Sequence, residues 1–100
     1  MAQFELMSIR TTGELVVDCQ ADLIRHLPTR IVVPLFDLGQ GLEPSGRLNP
    51  VFTVAERPMI FAPQYMVSIP LAELQPTGTS LAAHDLEMTS AIDVMFAGIR

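Results

Sequence analysis

The sequence contains no tryptophan, one tyrosine, one cysteine and charged residues at only 17% of its 100 positions, and every cation in it is an arginine. Each scarcity closes off a class of function. A single cysteine, Cys19, rules out an internal disulfide, removes the thiol pairs from which zinc sites are usually built, and fits a reducing cytoplasm. The six arginines (Arg10, Arg25, Arg30, Arg47, Arg57 and Arg100) are scattered and outnumbered by eleven acids. With a formal charge of −5 and a pI of about 4.7, the average field repels a polyanion, and no basic run interleaved with aromatics offers nucleic acid a face. No apolar run approaches the roughly 20 residues of a membrane helix, and Glu5 interrupts the segment where a signal peptide needs an unbroken apolar stretch. The expectation is a cytoplasmic protein that binds neither membrane nor nucleic acid directly.

What is abundant is apolar surface. Hydrophobic residues make up 49% of a chain whose length suits one domain, which argues for a packed core and for more greasy surface than one copy hides. A homodimer is the expected outcome. Six segments read as strands, each apolar or β-branched and bounded by turn residues: FELMSI at 4–9, LVVDC at 15–19, RIVVPLF at 30–36, VFTV at 51–54, MIF at 59–61 and YMVSI at 65–69. They follow one another too closely for helical crossovers, so the sheet is predicted to be antiparallel. Pro34, Pro58 and Pro70 lack the N–H that a central ladder uses and are predicted at edges, strand ends or bulges. The stretch LGQGLEPSGRLNP at 38–50, with three glycines and two prolines, reads as a mobile loop.

After QPTG at 75–78 the period changes. Met88, Ile92, Met95, Phe96 and Ile99 follow helical spacing, with Asp85, Glu87, Thr89 and Asp93 between them, so a helix is predicted over 85–97. Its acidic first turn complements the helix dipole, and Gly98 stands where a left-handed cap ends many helices. The apolar stripe has two readings, core packing against the sheet or a surface for another molecule.

Catalytic chemistry is sparse. His26 and His84 are distant in sequence and read as surface or turn residues, with no HExxH, no cysteine pair and no carboxylate run at metal-ligand spacing. Neither a metal nor an organic cofactor is expected. Gly39-Gln40-Gly41 does not lead into a helix and reads as turn chemistry rather than a phosphate cradle. Asp18 and Asp22 could form an acid/base pair, but Asp22 is equally placed to cap a short turn.

The ordered set QFEL at 3–6, VVDCQADLI at 16–24, RIVVPL at 30–35, PVFTV at 50–54 and AIDVMFAGI at 91–99 resembles the CcdB family of toxins. The resemblance implies a mainly β fold with one C-terminal α-helix: an SH3-like antiparallel sheet or partial barrel of the CcdB/MazF type, with a small accessory sheet, in a symmetric homodimer. It implies no covalent chemistry. Members of the family insert into the opened dimerisation region of the DNA gyrase A subunits and trap the enzyme on cleaved DNA, and a CcdA-like antitoxin neutralises them through a disordered tail that folds on contact.

By the same resemblance the gyrase-facing residues are Leu23 and Ile24, the helix residue Asp93, and the terminal run Phe96, Ala97, Gly98 and Ile99. Two depart from the family pattern. Asp93 stands where the family has asparagine and Ala97 where it has tryptophan, and Arg100 extends the usual end by one residue. Losing a tryptophan anchor at an interface commonly costs ~2–4 kcal/mol, so the resemblance implies gyrase poisoning that is weakened, retargeted or lost. Two alternatives accompany it. One is a non-toxic paralogue that binds an antitoxin or toxin partner; the other is a MazF-like endoribonuclease recruiting Arg10, Thr11, Thr12, Arg25 and His26.

Overall fold

The structure is a computed structural model and describes residues 3–24 and 26–98. Seven strands and one helix follow in order: β1 (Glu5–Ile9), β2 (Leu15–Asp18), β3 (Thr29–Asp37), β4 (Val51–Val54), β5 (Arg57–Phe61), β6 (Val67–Pro70), β7 (Leu74–Ser80) and α1 (Asp85–Ala97). All pairings are antiparallel, in the order β4-β5-β3-β2-β1-β7, with β6 added along the first half of β3. The mainly β, curled antiparallel architecture and the helix at 85–97 are as the sequence predicts.

Alternation along the strands explains the two-sided packing. Val17, Val33 and Leu35 point with Phe52, Phe61 and Met88 into the larger core, while Val16 and Val32 join Met7 and Leu74 in a smaller cluster on the opposite face. Each large side chain removed from water in this way contributes ~1.5–3 kcal/mol. The helix closes the larger core through Met88 and Ala91, both with no exposed surface. The stripe predicted from its sequence is therefore narrower than its apolar residues suggest. Ile92 and Met95 are half-buried, Phe96 exposes 73% of its surface, and Ile99 lies outside the described residues.

Prolines behave as expected at two of three positions. Pro70 ends β6, and Pro58 lies one residue past the β3–β5 ladder. Pro34, by contrast, stands inside the central strand β3, opposite Val16 of β2. The other margin of β3 changes partner there, from β6 at Val32 to β5 at Leu35. The Pro34 carbonyl accepts the Ala62 N–H on that margin (3.2 Å), so the missing N–H faces the gap between the two partner strands.

One strand lies outside the six read from the sequence, and one loop expectation is corrected. Residues 75–78, where the sequence period changes, form part of β7. This edge strand is almost wholly exposed, so it shows no apolar alternation, and its register against β1 slips between Glu5 and Met7. There the Thr77 hydroxyl donates to the Leu6 carbonyl (2.8 Å) and accepts the Thr79 N–H (3.2 Å), replacing ladder bonds with side-chain ones. The 38–50 stretch is likewise structured in its second half. Asn49, buried, accepts the Ser45 N–H (3.1 Å) and donates to the Phe61 carbonyl (3.1 Å) and to Gln64 Oε1 (2.9 Å), which holds a helical turn at Gly46–Leu48 against α1.

The two-residue hairpin between β4 and β5 carries a local cost. Ala55 and Glu56 have φ of 51° and 67°, the left-handed region that such a turn requires and that side chains disfavour. Replacing the pair with Asn-Gly is expected to stabilise the fold by about 1 kcal/mol, raising Tm by roughly 4–8 °C in a thermal melt.

Candidate partner-binding site

The residues assigned to partner contact fall on two separate elements. The first is the connection from β2 to β3, where Asp22–Ile24 forms a single helical turn. Leu23 at its crest exposes 89% of its surface and Ile24 a further 38%. The turn is tied down from several sides: the Asp22 carboxylate accepts the Gln3 N–H (2.8 Å), and the Gln20 amide donates to the Ile24 carbonyl (2.9 Å). Asp22 therefore pins the N-terminal segment to this turn.

Beneath this turn lies a buried charge pair. Arg30 and Asp18 have essentially no solvent exposure, with Nε donating to Oδ2 (2.9 Å) and Nη2 2.8 Å from the same oxygen but off the hydrogen-bond direction. Burial raises the Asp18 pKa above its ordinary 3.8, against the opposing pull of Arg30 and the Gln20 N–H. The Asp18 carboxylate is engaged inside the sheet by Arg30 and the Gln20 N–H, whereas Asp22 is exposed and engaged by Gln3. The Cys19 thiol, next to Asp18, is pushed up to about 12 by burial and by the Asp18 charge, which disfavours the thiolate.

The second element is the outer face and end of α1. Asp93, Phe96, Ala97 and Gly98 are all exposed there. Gly98 ends the helix with its N–H on the Val94 carbonyl (2.9 Å), at φ 77° and ψ −162°. That is a positive-φ extended conformation, not the left-handed cap expected, and it is one that essentially only glycine adopts. Leu86, 82% exposed, shares this face with Asp93 and Ala97 at i, i+7 and i+11. Sequence reasoning passed over it, although its helical phase was available. A shallow cleft of about 320 Å³ opens beside it, lined by Arg47, Pro50, Leu86, Glu87 and Ser90, with Arg47 Nη2 donating to Ser90 Oγ (3.1 Å).

The two elements are not principal packing partners of one another. The principal neighbours of α1 are the turns at Gly46–Leu48, Pro63–Tyr65 and Ala82–His84, and the Leu23 turn is not among them. The residues considered for RNA cleavage are scattered too. Arg10 donates to the Ala72 carbonyl (3.1 Å) and Thr12 accepts the Glu14 N–H (3.2 Å) in the β1–β2 turn that also holds Thr11, while His26 sits beyond the other end of β2. Four strand residues, or ~13 Å of backbone, lie between. Arg25 falls outside the described residues. His84 stacks on Phe52 (4.5 Å, 10°) with Nδ1 3.1 Å from Glu87, a packing role. Among the described residues no group of three potential metal ligands converges, and no helix is long and apolar enough to cross a membrane.

The model of the CcdB protein family matches residues 3–98, nearly the whole chain. The chain belongs to the CcdB family. Solved structures agree on the fold: the Mycobacterium tuberculosis toxin MazF-mt6 superimposes with a TM-score of 0.73 over 92% of this chain and 95% of that one, at 18% identity. A structure described as an Mtb toxin gives 0.71 over 91% and 99%, at 20% identity. No curated protein matches the chain. CcdB membership places it among the toxins of toxin–antitoxin systems, on a sheet architecture that MazF toxins share.

If Leu23 and Phe96 serve contact with a partner, truncating them leaves the CcdB fold intact. Leu23→Ala and Phe96→Ala are each expected to change unfolding free energy by no more than about 0.5 kcal/mol in urea titrations, whereas Met88→Ala costs about 2–5 kcal/mol. The buried pair behaves differently. Because the native state holds the Asp18 proton more tightly than the unfolded chain, Asp18 contributes most stability below pH 3.8 and progressively less as pH rises through its native pKa. Arg30→Met strands that carboxylate, so it is expected to cost about 3–5 kcal/mol at pH 7 and measurably less near pH 3, where Asp18 is neutral.

Proposed function

We propose that this CcdB-family chain is a toxin that acts by occupation rather than by chemistry: as a homodimer it binds the DNA gyrase A subunit, traps the enzyme on cleaved DNA, and is neutralised in the cytoplasm by a CcdA-like antitoxin. The observation that carries the reading is Phe96. A phenylalanine 73% exposed at the end of a helix that is already anchored by Met88 and Ala91 is not needed for the fold. Burying such a ring against a partner is worth more than the same area of aliphatic surface, because the ring is rigid and its stacking is directional.

Leu23 supplies a second exposed anchor on a separate element, and a two-fold dimer presents each anchor twice. Ala97 and Asp93 set the expected strength. Beside Phe96 the methyl group of Ala97 covers little area, and the Asp93 carboxylate must meet a cation or hydrogen-bond donor on the partner to be worth burying. The gyrase complex should therefore be weaker than one with tryptophan and asparagine at these positions. An RNA-cleaving reading has no comparable support, since Arg10, Thr11 and Thr12 lie at the opposite end of β2 from His26.

Expression of the chain alone in a bacterium is expected to slow growth and produce gyrase-linked DNA breaks, relieved by co-expressed antitoxin. Ala97→Trp is expected to tighten binding to the gyrase A dimerisation fragment more than tenfold in a titration. Unchanged affinity in that variant means that the interface lies elsewhere.

A further inference from the structure

The crest of the Asp22–Ile24 turn has little to hold it. Leu23 is almost fully solvated, and a three-residue helical turn closed by the Ile24 N–H on the Ala21 carbonyl (3.1 Å) is marginal by itself. An anchor on such a turn is useful only if its backbone is fixed before the partner arrives, because otherwise ordering it is deducted from the binding energy.

One buried side chain makes that connection. Gln20 exposes 4% of its surface, yet its amide reaches in both directions: Nε2 donates to the Ile24 carbonyl (2.9 Å) and Oε1 accepts the Ile31 N–H of β3 (3.1 Å). The Ile31 carbonyl still takes the Cys19 N–H (3.0 Å), while the Cys19 carbonyl turns away to accept from the Gln3 amide (3.3 Å). Gln20 thus replaces a ladder partner that the chain surrenders as it leaves the sheet. Its own N–H rests on Asp18 Oδ1 (3.2 Å), whose other oxygen holds Arg30. A continuous polar path therefore runs from Arg30 through Asp18 and Gln20 to the carbonyl that ends the turn.

We propose that Gln20 is a positioning residue for partner recognition: a buried amide strut that fixes the turn and so sets how Leu23 is presented. The proposal rests on the partner-contact reading of Leu23. Its contribution passes through the turn and not through any contact of its own, since the side chain is enclosed. Apolar residues of equal length fill the same space but leave the Ile31 N–H without a partner and the Ile24 carbonyl with the Leu27 N–H alone (3.3 Å), so the turn is held by fewer bonds.

The test is Gln20→Met, which keeps the length and removes the amide, read by two measurements. In amide hydrogen exchange, Ile24 and Leu27 are expected to exchange at least about tenfold faster, while Phe61 and Met88 in the main core keep their protection. In binding to the gyrase A dimerisation fragment, Gln20→Met is expected to weaken affinity about tenfold in the otherwise unchanged chain and to have no effect in a Leu23→Ala background. Should Gln20→Met fold poorly, Gln20→Glu keeps the acceptor for Ile31 but removes the donor to Ile24, and is expected to release the Ile24 and Leu27 amides while Ile31 stays protected. Unchanged exchange at the turn overturns the proposal, as does an equal affinity loss with and without Leu23. If the unaltered protein does not bind the gyrase fragment, the gyrase reading fails, and the exchange measurement still decides whether Gln20 fixes the turn.

Discussion

A charged pair enclosed at the start of the central strand constrains everything built on it. Arg30 and Asp18 can neither reach water nor separate without leaving an unmatched charge inside the sheet, so β2 and β3 have one workable register, Asp18 against Val32. From that register the rest follows in order. Val17 and Val33 face one core and Val16 and Val32 the other, and a slip of one residue would exchange the two sets. Nine residues long, β3 then carries the pattern onward to two successive partners, with Pro34 occupying the one stretch where no neighbour asks for its N–H.

Most of this was legible in the amino-acid sequence because burial leaves a periodic trace. The strands around Val16, Val32 and Phe52 and the helix from Asp85 were readable for that reason, down to the hairpin at Gly13. β7 was not, because an edge strand with Pro76 and Gly78 buries only Leu74 and so leaves no alternation to read. Asn49 was missed for a different reason. Glycine and proline dominate its loop, whereas its order comes from one side chain bonding to residues 12 and 15 positions away, and such pairings leave no local mark.

The candidate site was legible in part. Leu23, Phe96 and Ala97 came from resemblance, and the fold leaves them on the surface rather than absorbing them. The sequence could not distinguish an apolar helix position that packs from one that waits, since Met88 and Phe96 look alike in a periodicity and differ only in what lies opposite. Nor could it reveal that the two groups of candidate contact residues sit on elements that are not principal packing partners within one protomer. This separates the residues that hold the fold from those proposed for recognition. The core is assembled from the sheet, Met88 and Ala91, and the outer α1 face and the Leu23 crest remain open to change without unfolding the molecule.

The lone sulfhydryl has a practical corollary. Partly enclosed beside an anionic neighbour, Cys19 stays protonated at any physiological acidity, and a protonated thiol is a poor target for peroxide, glutathione or maleimide. Oxidation through this thiol is therefore disfavoured. A fluorophore attached to a cysteine engineered on the exposed flank of α1 would report from that flank alone.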